Sequence, residues 1–170
     1  MDTITLNMEN LSEAERKQLL SLVEKANKPK RLCFENMRSG EIFFFIGSAG
    51  EVWEKDFVPG NPSDENRFLL GNAFPTREAA EFAVERLKVL HEIKEFIAKN
   101  DDKEIDWTNG YTKKYSLYYD AEHGRVSYGT TEEVMATQKE FYSSSMKIID
   151  DMIETIGKER IKKYYFGITE

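Results

Sequence analysis

Residues 77–99 read REAAEFAVERLKVLHEIKEFIAK, and this stretch decides the fold. Its charged side chains recur every three or four residues, the spacing of one helix face, and most other positions are apolar. Thr76 is a suitable N-cap, with Pro75 before it. A helix that is apolar around most of its circumference must be buried on most sides. We therefore expect it to be the central element of the core, or to be shared with a second copy of the chain.

The segment before this helix has the pattern of strands. Residues 42–54, IFFFIGSAGEVWE, combine an apolar run, a glycine-bounded turn and an alternating run, which predicts a β-hairpin. Residues Phe57–Asn66 contain PGNP and are expected to form a loop. Arg67–Leu70 is then expected to be a third strand, closed by Gly71 and Asn72.

The segment after the helix repeats this order. Asn100–Lys114 is expected to be a polar loop anchored by Ile105 and Trp107. The pattern then predicts strands at Tyr115–Asp120, Arg125–Gly129 and Val134–Glu140, and a final helix capped by Ser143, Ser144 or Ser145, carrying Ile148, Ile149, Met152, Ile153 and Ile156, and ended by Gly157.

The segments before and after the helix at residues 77–99 align with each other as an internal repeat. Residues 44–52, FFIGSAGEV, correspond to residues 118–126, YYDAEHGRV, and an aromatic residue precedes the cap of each long helix. The alignment predicts an α+β fold of two β-β-β-α half-repeats with antiparallel sheets, at residues 41–99 and 115–157. Common hairpin chemistry, without any repeat, could produce the same match.

An amphipathic helix is predicted ahead of this domain, over Ser12–Asn27. Ser12 and Glu15 have the spacing of a capping box. Leu19, Leu20, Leu22 and Val23 form an apolar stripe, and Pro29 in a short basic linker ends the helix. We therefore divide the chain into the helix and linker at 1–30 and an α+β domain at 31–170. The stripe is the candidate interaction surface, for its own domain or for another molecule.

Composition excludes several classes of protein. The formal charge of −7 disfavours a general nucleic-acid binder, whose affinity comes from Lys and Arg on phosphates. No apolar run is long enough to span a bilayer, and the first ten residues lack the pattern of a secretion signal. Cys33 is the single cysteine, so no internal disulfide can form. These features predict a cytoplasmic protein.

Residues that could carry chemistry are few. His91 and His123 are the only histidines, and no motif places either of them beside a nucleophile. Asp102-Lys-Glu-Ile-Asp106 resembles the start of a calcium loop, but Trp107 replaces its glycine and Lys113 its final glutamate. We therefore predict no catalytic residues, no metal site, no cofactor and no enzymatic activity.

A second hypothesis is that the protein binds or sequesters a small ligand such as a nucleotide. The chain has no glycine-rich phosphate loop. The residues that could stack on a base are aromatic side chains in the predicted strands, namely Trp53, Tyr118 and Tyr119.

Three segments resemble an uncharacterised family of small phage and prophage proteins of Gram-positive bacteria. They are residues 71–88, GNAFPTREAAEFAVERLK, residues 157–167, GKERIKKYYFG, and the helix Leu11–Lys28. The resemblance implies a context and no site residue, because no activity is established for that group. It suggests an accessory protein that binds a host or phage protein, including an anti-CRISPR-like or other inhibitor of host defence. We also expect a homodimer, because the two helices offer more apolar surface than one small sheet covers.

Overall fold

A computed structural model describes residues 11–27, 34–132 and 141–169. The described elements are α1 (Glu13–Asn27), a 3-10 turn (Phe34–Asn36), β1 (Ile42–Ile46), β2 (Val52–Asp56), α2 (Pro62–Leu69), α3 (Arg77–Asn100), β3 (Lys114–Asp120), β4 (Arg125–Thr131), β5 (Tyr142–Ser143), α4 (Met146–Ile156), α5 (Lys158–Arg160) and a π-helical turn (Ile161–Tyr165). Helices combine with two small antiparallel sheets, which confirms the α+β class. The predicted boundary near residue 30 and the predicted strand Val134–Glu140 lie outside the described residues.

The first sheet is the predicted hairpin of β1 and β2. The strands are antiparallel, with Ile46 opposite Val52. Gly50 in the turn has a φ of 84°, which glycine adopts without the steric penalty of a side chain. The hairpin prediction is confirmed.

The predicted third strand of this unit is wrong. Arg67–Leu69 is the end of helix α2 and Leu70 is its C-cap, and part of the predicted loop forms the beginning of the helix. The side chain of Asn61 accepts hydrogen bonds from the backbone N–H groups of Ser63 and Asp64, at 3.0 and 3.3 Å. Pro62 occupies the first turn, where its missing N–H costs nothing. The asparagine and proline of the predicted loop therefore start a helix.

Helix α2 covers one face of the hairpin. The Phe68 ring contacts those of Phe43 and Phe57, with centroids 5.2 and 5.6 Å away. Asp64 is fully buried, and its carboxylate accepts from Lys55 at 2.6 Å and Arg67 at 2.9 Å. Two cations thus compensate the buried negative charge that joins helix and sheet.

The outer edge of β1 is closed by the chain between α2 and α3. Phe44 and Phe74 exchange two backbone hydrogen bonds, of 3.0 and 2.8 Å. The side chain of Asn72 bonds the backbone of Ile46 beside them. A short extended segment therefore takes the position of the missing third strand.

Helix α3 begins where the sequence predicts. The Thr76 hydroxyl accepts from the backbone N–H of Ala79 at 3.2 Å. Val89, Ile93 and Ile97 are buried and form one stripe at helical spacing, and the buried Ala80 lies on the opposite side, nearer the start of the helix. Leu87 is exposed. Within the single chain the expectation that this helix is buried on most sides is wrong, because the first sheet, α4 and the π-helical turn cover only part of its circumference.

The second sheet has the strand order β4-β3-β5. The predicted strands β3 and β4 are confirmed, with Asp120 opposite Arg125. The third strand is β5, in which Ser143 pairs with Tyr115. The main core lies between this sheet and the helices α3 and α4, and its buried residues are Val89, Ile93, Ile97, Val126, Phe141, Ile149, Met152, Ile153, Ile156 and Ile161.

The internal repeat is not confirmed. In the first hairpin the last pair, Ile46 and Val52, encloses five residues, 47–51. In the second, the pair Asp120 and Arg125 encloses four, 121–124. Aligned residues therefore hold different places in the two turns. The first half also has helix α2 between its hairpin and its long helix, where the described part of the second half has β5.

The C-terminal segment is tied to α3. Gly157, with a φ of 97°, ends α4 and allows the chain to turn into α5. The Arg160 guanidinium then donates two hydrogen bonds to the Glu92 carboxylate, at 2.7 and 3.0 Å. Such a bidentate pair fixes the orientation of both side chains. In the part of the chain that the structure describes, no helix has the length and apolar character needed to cross a membrane.

Candidate interaction surfaces

Helix α1 starts with the predicted capping box. The backbone N–H and the hydroxyl of Ser12 both donate to the Glu15 carboxylate, at 2.9 and 2.6 Å. The Glu15 N–H donates back to the Ser12 hydroxyl at 3.4 Å. The bonds from Ser12 also lower the pKa of Glu15. These local contacts therefore fix the start of the helix.

The apolar stripe of α1, defined as Leu19, Leu20, Leu22 and Val23, remains largely open to solvent. Leu19 is half-buried. The other three keep 55%, 56% and 42% of their surface exposed, in chain order. The candidate interaction residues thus share one continuous apolar face on an amphipathic helix.

A second exposed apolar group lies at the end of α2. Leu69 and Leu70 are 83% and 80% exposed. The sequence pattern does not identify them, because it places both in a strand, where one would face the core. Their exposure follows from the helix: Phe68 contacts the hairpin, so the next side chain, Leu69, points away from it, and Leu70 is the C-cap at the helix end.

A shallow groove of about 460 Å³ lies where α3 ends. Ile97 and Ala98 of the helix line it together with Ile105, Trp107 and Tyr142. The Trp107 and Tyr142 rings are perpendicular, with centroids 5.3 Å apart. Ile105 and Trp107 are the predicted anchors of this loop, and both are partly buried. The sequence does not indicate that they also line a groove.

Asp101 forms a hydrogen-bond cluster at the rim of this groove. Its carboxylate accepts from the hydroxyls of Ser143 and Ser144, both at 2.7 Å, and from the N–H of Ser144 at 2.6 Å. Burial acts to raise the pKa of Asp101, but the bonds from Ser144 and Ser143 outweigh it, so the pKa lies below its usual value. Ser145 is the N-cap of α4. Asp101 therefore ties the end of α3 to the start of α4.

The candidate stacking residues do not form one cradle. Tyr118 and Tyr119 are consecutive in β3, so their side chains project from opposite faces of the sheet. Tyr119 packs against Phe166 with a centroid separation of 5.8 Å, whereas Tyr118 is exposed. Trp53 lies in the other sheet and donates to the Glu51 carboxylate at 2.9 Å.

The two histidines lie in different parts of the fold. His91 is on the exposed side of α3. His123 lies in the turn after β3, where Nδ1 is 2.8 Å from the Asp120 carboxylate, which also accepts from Arg125 at 3.1 Å. That cluster fixes a turn and contains no nucleophile. Across the described ranges, no group of three or more His, Cys, Asp or Glu side chains is arranged to hold a metal ion.

Comparison with known proteins finds no matching family model, no similar curated protein and no similar solved structure. The resemblance to phage proteins therefore stays a prediction from the sequence.

Proposed function

We propose that this protein is a non-enzymatic accessory protein that binds a macromolecular partner through the apolar stripe of α1. The observation that carries the proposal is the exposure of Leu20, Leu22 and Val23 on one side of an amphipathic helix. A contiguous apolar stripe on the exposed surface of a protein is normally buried by a partner. An amphipathic helix typically binds a partner protein by placing its apolar face in a groove of that partner.

The partner class rests on the resemblance and on charge. The resemblance to phage proteins favours a host protein in the cytoplasm, such as a component of a defence system, which binding would inhibit. The net charge of −7 supports a target with a basic surface, because an acidic protein is attracted to such a surface and can compete there with nucleic acid. In the absence of that target, we propose that two copies cover each other's stripe in a homodimer.

The proposal is tested by affinity capture from a lysate of a Gram-positive host, with mass spectrometry of the bound proteins. Three full-length proteins are compared: the unchanged chain, Leu19→Asp/Leu22→Asp, and the control Ala14→Asp/Ser21→Asp. Each variant adds two negative charges to the same helix. Ala14 and Ser21 are exposed and lie on the side of the helix opposite the stripe, so the control keeps the apolar face.

We expect a protein that is retained by the unchanged chain and the control and lost with the leucine variant. Each buried leucine contributes about 2 kcal/mol, so two of them change affinity by about a thousandfold. The captured protein is then purified and mixed with the chain to confirm direct binding. Capture that is equal for all three proteins would place the binding surface elsewhere, and capture by none would contradict the proposed function.

A further inference from the structure

The outer edge of β2 is an open strand edge in the described part of the chain. Among the described residues, the strands of the first sheet are β1 and β2, and the bridge to Phe74 lies on the β1 side. Backbone bonds join Gly47 to Glu51 at one end of the hairpin and Phe57 to Glu41 at the other. Hydrogen-bonded pairs alternate along an antiparallel ladder, so the N–H and C=O groups of Val52, Glu54 and Asp56 point outward.

A shallow groove of about 260 Å³ lies beside the first part of this edge. It is lined by Gly50 and Val52 of the hairpin and by a polar face of α3 that includes Arg77, Glu81, Glu85 and Lys88. A strand added to β2 at this end would therefore contact the helix as well as the sheet. Its side chains on that side would lie next to those of Val52, Glu54 and Asp56.

The charge at this place is negative. The carboxylates Glu54, Asp56, Glu81 and Glu85 outnumber the cations Arg77 and Lys88 by two. Both cations already have partners: Lys88 donates to Glu85 at 2.7 Å, and Arg77 donates to the Val52 carbonyl at 3.1 Å and lies 3.8 Å from Glu54. An incoming strand thus meets an edge that attracts positive side chains.

From this geometry we infer a second binding surface, separate from the α1 stripe: the β2 edge takes an extended, basic segment of a partner protein as an additional antiparallel strand. Main-chain hydrogen bonds to the N–H of Val52 and to the N–H and C=O groups of Glu54 and Asp56 supply affinity, because the Val52 carbonyl already accepts from Arg77. Lys or Arg at alternate positions, opposite Glu54 and Asp56, supplies specificity. The side chains of the added strand that lie between these Lys or Arg positions point to the other face of β2 and would contact the exposed Trp53.

An acidic strand edge could also serve two purposes that do not involve a basic partner segment. Charged side chains protect sheet edges against unwanted pairing, in which case no strand would bind. A second copy of the chain could instead pair β2 with β2. That pairing places acidic side chains opposite one another, which is destabilising.

The probe is a peptide of about eight residues that alternates Lys with Thr or Val, titrated into the full-length isotope-labelled protein and followed by amide resonances. Two methylated peptides are compared with it. A residue opposite Glu54 in an antiparallel strand directs its own N–H toward β2, so N-methylation of the Lys positions blocks pairing. N-methylation of the Thr and Val positions leaves the paired side of the strand unchanged.

We expect the parent peptide and the Thr/Val-methylated peptide to bind alike, shifting and protecting the amides of Val52, Glu54 and Asp56. The Lys-methylated peptide should bind at least about tenfold more weakly. Equal binding of both methylated peptides, or no binding of the parent at about 1 mM, would overturn the inference. Edge amides that are already protected without peptide, and that lose protection on dilution, would show self-pairing instead and also overturn it.

Variants of Glu54 complete the test. Glu54→Pro removes an outward N–H that makes no bond to β1, so the hairpin tolerates it while strand addition is blocked. Glu54→Lys keeps the backbone, reverses the charge and should weaken binding about tenfold. The control Glu154→Lys, on the exposed side of α4, should leave affinity unchanged. If Glu54→Pro fails to fold, the comparison of Glu54→Lys with Glu154→Lys and the two methylated peptides still decide the outcome.

Discussion

The carboxamide of Asn72 substitutes for a strand partner of Ile46. The N–H of Ile46 donates to Asn72 Oδ1 at 2.8 Å, and Asn72 Nδ2 donates to the Ile46 carbonyl at 2.9 Å. A side-chain amide has the same donor and acceptor as a peptide group, so one residue supplies both bonds of a ladder position. Two residues later, Phe74 continues the pairing with its backbone. The edge of β1 is therefore closed without a full third strand.

Removal of this amide should destabilise the first sheet. Asn72→Ala leaves both Ile46 backbone groups without these bonds, and we expect the free energy of unfolding to fall by about 1–3 kcal/mol, measured by urea denaturation. The control Asn66→Ala changes an exposed asparagine of α2 and should leave the value nearly unchanged. A fall no larger than in the control would mean that water replaces the amide at no cost.

The same region shows what the sequence can and cannot indicate. The hairpin, the start of α3 and the capping box of α1 follow from local spacing, and all three are confirmed. The prediction of a third strand is wrong because Asn61 and Pro62 are as common in turns as at helix starts. The choice between them depends on Phe68 reaching Phe43 and Phe57, a contact between residues distant in sequence.

Some of the candidate surfaces can be predicted from the sequence and others cannot. The stripe of α1 can be found from helical spacing, because its geometry is local. The groove at the end of α3 cannot, since it joins Ile97, Trp107 and Tyr142 from three separate segments. The open edge of β2 depends on which strands pair, and the pattern of a single strand does not specify that.

Asp101 should make stability dependent on pH. Because its pKa is lower in the folded protein than in the unfolded chain, its contribution is complete above the unfolded pKa of about 3.9 and is lost as the pH falls through the folded value. We expect Asp101→Asn to reduce the free energy of unfolding by about 1–3 kcal/mol at pH 7. The difference from the unchanged chain should shrink below about pH 4.

The measurement is urea denaturation of both proteins between about pH 7 and pH 3. Asp102→Asn is the matched control, because this neighbouring aspartate is exposed. A difference that stays constant or grows as the pH falls would show that the Asp101 bonds to Ser143 and Ser144 do not depend on its charge.

The histidines should be dispensable. His91 is exposed on α3, and His123 contacts only a turn carboxylate among its described hydrogen-bond partners. We expect His91→Gln/His123→Gln to retain partner capture and to unfold cooperatively. Loss of function in a double variant that still melts cooperatively would contradict the non-enzymatic proposal.

Nucleotides should not stabilise the protein. Tyr118 and Tyr119 project from opposite faces of their sheet and cannot enclose one base. A ligand at about 100 times its dissociation constant would add about 2.7 kcal/mol and raise the melting temperature. We expect no rise with added nucleotides and no absorbing molecule released on denaturation. A clear rise would favour the sequestering alternative over partner binding.

The most direct test of the α1 stripe as a protein-binding surface is sedimentation velocity on the unchanged chain, Leu19→Asp/Leu22→Asp and Ala14→Asp/Ser21→Asp, over about 1–100 μM. We predict that the unchanged chain and the control sediment as dimers at micromolar concentration and that the leucine variant is a monomer. The dimer loses four buried leucines, two from each chain, which should weaken association by more than about a thousandfold. A chain that is monomeric throughout, or a dimer that the leucine variant leaves intact, would contradict the account.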